Sequence, residues 1–410
     1  MIFFYLLLSI MPLIKHPVWE YVLQGGLTVV KVIGAACVLY ALVYLLVRPA
    51  TPVFFRTKQA RLFVILWAVA AVSYFTKGTS RGWDVSPFVS YTSFLALFFV
   101  TVVVISSLSR LRRSALVAIG SLAFASLYVL REWQKHPGTG EGFRPGWVVG
   151  DANYFTVSAI LALALGLYLA VDPERPRLER IYCSICFGLT LAAVILAASR
   201  GGFLGLGAAF LLGVYRSRKP LRNLALTGFL SVPLILVAPS SPVHRIMYPS
   251  PSDRKSTELH RILWKTGLHM VEKHPLTGVG LGRFKPVEDQ YWDVPLNRAF
   301  IAHNAYVEIA AEMGLPALLL FFAILFHAYQ SFEKVRKLAL EFRIPLLSRL
   351  SVGLEVGLVG CSVSLFFVSG QYQKLLWFVI FLSAVVPQLA QLAVRTETLH
   401  LEDAVNRTTV

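Results

Sequence analysis

The chain has 410 residues, of which 56% are apolar and 15% charged, with a mean hydropathy of +0.64. A soluble domain carries roughly a quarter charged residues, so this composition excludes a conventional soluble enzyme and points to a protein embedded in lipid. The net charge of +17 would suggest nucleic acid in a soluble chain. Here cytoplasmic loops account for it, and no basic tract alternates with aromatics outside the apolar segments, so no nucleic-acid partner is expected.

In chain order, hydropathy predicts twelve spans: 2–14, 24–47, 62–76, 87–108, 115–131, 152–171, 182–198, 202–215, 223–238, 304–330, 351–369 and 375–394. Because lipid satisfies no backbone group, these spans are expected to be helices. No alternating pattern of an outer-membrane barrel appears. The expected fold is therefore all-α, a polytopic bundle of about twelve transmembrane helices with one long, partly helical loop. The N-terminal MIFFYLLLSIMPLI lacks a basic n-region and an A-x-A site, so it reads as a short retained helix rather than a cleaved signal.

Basic clusters orient the bundle. Segments 48–61, 109–114, 172–181, 216–222 and 331–350 hold most of the loop Lys and Arg, whereas the alternate loops hold few. That bias puts the first set and both termini in the cytoplasm, which requires an even number of spans. The division expected is 1–238 for the first nine spans, 239–302 for an outer loop, 303–394 for the last three spans, and 395–410 for a short acidic tail without structure. Within the loop, a Pro/Ser-rich linker leads to a helix over 257–273 with Thr257 as a possible cap, ended by His274-Pro275. Embedded aromatics argue that this loop is folded. All four cysteines fall in apolar stretches, so the Cys183/Cys186 pair reads as helix packing, with neither disulfide nor metal expected.

Ionisable residues set among apolar ones are costly and therefore functional candidates. Arg200 in LAASRGGFLGL offers a planar fork for phosphate, with paired glycines letting backbone approach a ligand. The alternative is a cation capping a helix hairpin. His303, in HNAYVEIAAEMGLP, stands where the outer loop re-enters the membrane and suits a general base, or an interfacial histidine. Asn304 is a plausible cap beside it, and Glu308 and Glu312 follow at i,i+4. Arg261, Trp264 and Lys265 lie on adjacent faces of the loop helix, suited to an anionic headgroup or pyrophosphate, or simply to water. Asp151 in GDANYF opens a span from outside, as a site residue or as a cap. GVGLGRF, with Arg283, is a phosphate loop only superficially, since no strand precedes it.

Three motifs in this order resemble the O-antigen ligase/polymerase superfamily of bacterial envelope glycosyltransferases: SRGGFLGL from 199, a long outer loop with Trp264 and HPLTGVGLGRF, and HNAYVEIAAEMGLPALLLF from 303. The resemblance covers roughly 150–325, and the twelve-span layout agrees with it. It implies an inverting transfer without metal or cofactor. The donor would be a glycan on undecaprenyl diphosphate, the acceptor a sugar of lipid A–core, and the site the periplasmic face of the inner membrane. Arg200 and Arg261 would grip the pyrophosphate and His303 would act as base. Lys265, Arg283, Asp151 and Trp264 would be secondary substrate contacts. The large extra C-terminal region of protein-glycosylating relatives is not seen, which makes a protein acceptor less expected. A polymerase using the same donor is the alternative. A transporter is the reading from another class, but no half-to-half similarity supports it.

Overall fold

The computed structural model describes residues 1–13, 22–23, 27–47, 56–76, 85–135, 145–146, 151–217, 220–221, 247–292 and 299–408. Its principal helices are α1 (Ile2–Ile10), α2 (Val29–Val47), α3 (Lys58–Thr76), α4 (Ser86–Val104), α5 (Leu108–Gln134), α6 (Ala152–Ala170), α7 (Arg177–Ala197), α8 (Arg200–Tyr215), α9 (Pro251–Lys273), α10 (Ala305–Glu341), α11 (Pro345–Ser364) and α12 (Lys374–Thr408). The strands among the described residues are two residues each, Val22–Leu23 paired antiparallel with Leu27–Thr28. The expected all-helical membrane bundle is what the chain forms.

Among the described residues, nine helices are long and apolar enough to cross a bilayer, namely α2 to α7 and α10 to α12. Ile2–Leu13 and Arg200–Tyr215 are shorter apolar helices. The expected span 223–238 lies outside the described residues.

The bundle is laid out by close packing between helices rather than by a polar interior. α11 packs against α6, α8 and α10, while α10 also meets α3, α9 and α12. Small residues make these approaches possible. Side chains added at Gly202 and Gly205 of α8 would run into Thr156 and Ser364, and one at Gly201 would meet Phe367. The glycines of SRGGFLGL therefore seat α8 on its neighbours, which corrects the expectation that they open backbone to a ligand. An aromatic core joins α3, α4 and α12, with Phe98 stacked on Phe381 at 4.4 Å and Phe63 edge-on to Trp377 at 4.9 Å.

At one end of the bundle, Glu355 of α11 is fully buried and accepts from Arg216 Nε at 2.8 Å and from Arg336 Nε at 3.0 Å. An unpaired carboxylate there would be expensive. Two cations from α8 and α10 hold it and so tie three helices together.

Two sequence expectations change. The loop helix begins at Pro251, not 257, with Ser250 as its N-cap and a reciprocal capping box to Asp253. Pro at the first helical position has its φ already set for a helix, so Ser250-Pro251 is a start signal; the earlier part of the expected linker, up to 246, lies outside the described residues. The tail beyond Arg395 is not without structure, because α12 runs on to Thr408. No Gly or Pro interrupts RTETLHLEDAVNRT, so the helix propagates once the bundle has nucleated it.

Candidate active site

Two helix starts are wired together at the end of the bundle away from Glu355. Asp151 caps α6, accepting from Asn153 N at 2.7 Å. Asn153 Oδ1 in turn accepts from Ser199 Oγ at 2.7 Å, and Ser199 caps α8 by accepting from Gly202 N at 3.1 Å. GDANYF and SRGGF, distant in sequence, thus form one corner, with Asp151 as a cap and Arg200 the first residue of α8.

Arg200 reaches out of that corner and donates from Nη1 to Thr257 Oγ1 of α9 at 3.1 Å. Along α9, Thr257, His260, Arg261 and Trp264 follow at helical spacing and share one stripe. The His260 ring lies parallel to that of His303, with centroids 5.0 Å apart and planes at 10°. Trp264 packs on His260 at 6.4 Å and on Phe367 at 6.3 Å, and its Nε1 is buried without a partner among the described residues. Arg261 follows His260 directly; its side chain is 69% exposed and 3.9 Å from Glu258. Arg200, Arg261, Trp264 and His303 are therefore gathered along one stretch of α9. Lys265 is exposed one turn past Arg261.

Arg283 is placed differently. It precedes the short helical turn Phe284–Val287, and its charge acts on Tyr291, whose phenol bonds His274 at 3.0 Å beyond the far end of α9. Burial raises the Tyr291 phenol above its ordinary range, against the pull of Arg283. The next residue, Phe284, bonds Glu312 through its N–H and lies against Gly267 of α9.

The backbone around His303 is tightly specified. Its φ is 51°, in the left-handed region. On one side Ala302 N donates to Glu308 Oε2 at 3.3 Å; on the other Asn304 caps α10, accepting from Tyr306 N and Val307 N. Glu308 and Glu312 are both buried. Gln371 Nε2 donates to each at 3.1 Å, Ser369 Oγ donates to Glu308, and Tyr91 donates to Gln371 Oε1 at 3.0 Å. Glu312 Oε1 accepts from Phe284 N at 3.2 Å, which pins the loop.

A kink in α10 makes the second anchor. Pro316 has no N–H, and Leu315 N turns away to Pro275 O at 2.8 Å, so the carbonyls of Ala311 and Glu312 lose their helical donors. Val279 N and Gly280 N fill them at 2.8 and 3.0 Å. The GVGLG loop is therefore a staple for the EMGLP kink, with Gly278 against the Glu312 backbone and Gly282 against the Pro87 ring.

Sequence reasoning missed His260 and the partners of the two glutamates. His260 sits on the same stripe as Arg261 and Trp264, a signal available from spacing. That it faces His303 is decided only by how α9 docks.

The class defined by this fold is a multi-pass helical membrane protein whose polar residues converge where the polar helix α9 meets the bundle. Residues 185–322 match the model of the O-antigen ligase family, a stretch that contains Arg200, all of α9, the GVGLG staple and His303. That match supports the O-antigen ligase superfamily, over the stretch where the motifs of the sequence resemble it. No curated protein matches the chain.

Proposed function

We propose that the chain is a ligase-type inverting glycosyltransferase, moving a glycan from undecaprenyl diphosphate to a sugar hydroxyl of lipid A–core at the periplasmic face of the inner membrane. The observation that carries this reading is α9: it takes a hydrogen bond from Arg200 at Thr257 and lays His260 on His303 one turn later. In this reading Arg200 and Arg261 hold the diphosphate. His303 takes the proton of the acceptor hydroxyl, whose oxygen attacks the anomeric carbon from the face opposite the phosphate. The glycosidic C–O bond breaks with its electron pair leaving on the diphosphate, and the guanidiniums offset that growing charge. Lys265 and Trp264 line the approach, and Asp151 acts through the corner it caps. Arg283 is a secondary contact to the donor.

Arg200→Ala and His303→Ala should each lower transfer by roughly 100-fold or more while the purified protein stays monodisperse. Arg200→Lys should also be poor, because a point charge does not replace a bidentate fork. The assay offers a defined lipid-linked glycan with lipid A–core and, separately, a second lipid-linked repeat, in the presence of EDTA. Product only on the second acceptor would replace ligase by polymerase. Normal turnover by His303→Ala would remove the base.

A further inference from the structure

We propose that the end of the bundle opposite His303 carries a binding site for an anionic phospholipid headgroup, in the cavity between α3, α10 and α12. The cavity measures about 350 Å³. Lys334 lies 29 residues beyond Ala305 on α10, roughly 40 Å of helix, so the site is separate from the Arg200–His303 stretch.

Two exposed cations, Arg56 at the start of α3 and Lys334 on α10, stand at the cavity with the partly buried polar side chains of His327, Gln330 and Gln388. His327 is oriented from behind, its Nδ1 2.8 Å from Oε1 of the fully buried Gln59, whose own amide donates to Ile324 O at 3.4 Å. That leaves Nε2 as the ring nitrogen for the cavity. Among the described residues no carboxylate lines it. The neighbouring Glu333 is engaged elsewhere, by Arg216 at 3.3 Å and Lys337 at 3.2 Å.

The shape follows from Pro387. Lacking an N–H, it frees the Ser383 carbonyl, which accepts from Ser331 Oγ of α10 at 2.6 Å. The two helices are thereby tied at the cavity's edge, and Val335, Ala384 and Pro387 form an apolar wall beside the polar groups. The preference of cytoplasmic loops for Lys and Arg explains the cations at this end. It does not explain a cleft that sets them over an imidazole, two amides and an apolar wall. A phosphodiester with a glycerol backbone matches that arrangement, as basic pockets between transmembrane helices generally do. A free phosphate would leave the wall unused.

The test is native mass spectrometry of the full-length protein titrated with phosphatidylglycerol, with phosphatidylcholine of the same chains, and with inorganic phosphate. Phosphatidylglycerol should bind about tenfold tighter than phosphatidylcholine, and millimolar phosphate should not displace it. R56E/K334E should abolish that preference, and K337E, outside the cavity, should retain it. Should the double variant not purify as a monodisperse protein, Lys334→Gln should still lower the preference about threefold. Equal binding of the two lipids, displacement by free phosphate, or unchanged binding in the charge variants would overturn the proposal.

Discussion

His303 holds a left-handed backbone, φ 51°, that L side chains adopt at a cost. Its neighbours maintain it: Ala302 N is bonded to Glu308 and Asn304 caps the helix that follows. The imidazole is further held flat against His260. If that stack orients the base, His260→Ala should reduce turnover about tenfold, with a smaller change in donor KM, and His260→Phe should recover most of the loss by restoring a flat ring. Equal loss in both variants would show that His260 acts through its nitrogens instead. At this scale the sequence pointed to His303, Arg200 and Arg261 as residue types suited to the chemistry, and to Asn304 as a cap. It could not supply Gln371 as the shared donor of Glu308 and Glu312, since that amide arrives from 63 and 59 residues away.

At the scale of elements, α10 and its loop act as one piece. Gly314 has φ 84° and a Cβ there would run into the Leu276 carbonyl; Gly278, at φ 65°, would meet the Glu312 backbone. Gly314→Ala should therefore destabilise the protein by about 1–3 kcal/mol, read as a lower melting temperature of the purified protein. A neutral result would mean that the loop does not dock on the kink. The same loop carries a pH dependence. Burial pushes Glu288 from its ordinary 4.5 up to about 7, against a hydrogen bond from Phe300 N that favours its charged form. The folded loop thus binds a proton that the unfolded loop releases. The contribution of Glu288 to its stability is fully present below about pH 4.5 and is lost as pH rises through about 7. Protease resistance of the 274–292 segment should fall between pH 5 and 8, and Glu288→Gln should flatten that profile.

For the whole molecule, the distribution of Lys and Arg predicts that the ends of the chain and the Arg216–Glu355–Arg336 network share the cytoplasmic side. A fluorescent protein fused at the C-terminus should be bright and a periplasmic phosphatase fused there inactive. The reverse pair of results would invert the bundle and put the Arg200–His303 stretch on the wrong side for a periplasmic transfer. This prediction is independent of the reaction, because it rests on loop charge alone.

The residues by themselves determined that this is a helical membrane protein, where most of its helices lie, and which motifs match the ligase family. Hydropathy, caps and short ordered motifs act locally, so they can be read along the chain. Tertiary packing decided the rest. It showed that the SRGGF glycines seat a helix, that GVGLG closes the gap left by Pro316, and that α9 joins Arg200 to His303. Those outcomes depend on which carbonyls and faces remain unsatisfied after each helix forms. Their partners lie tens to hundreds of residues away, and no local pattern specifies them.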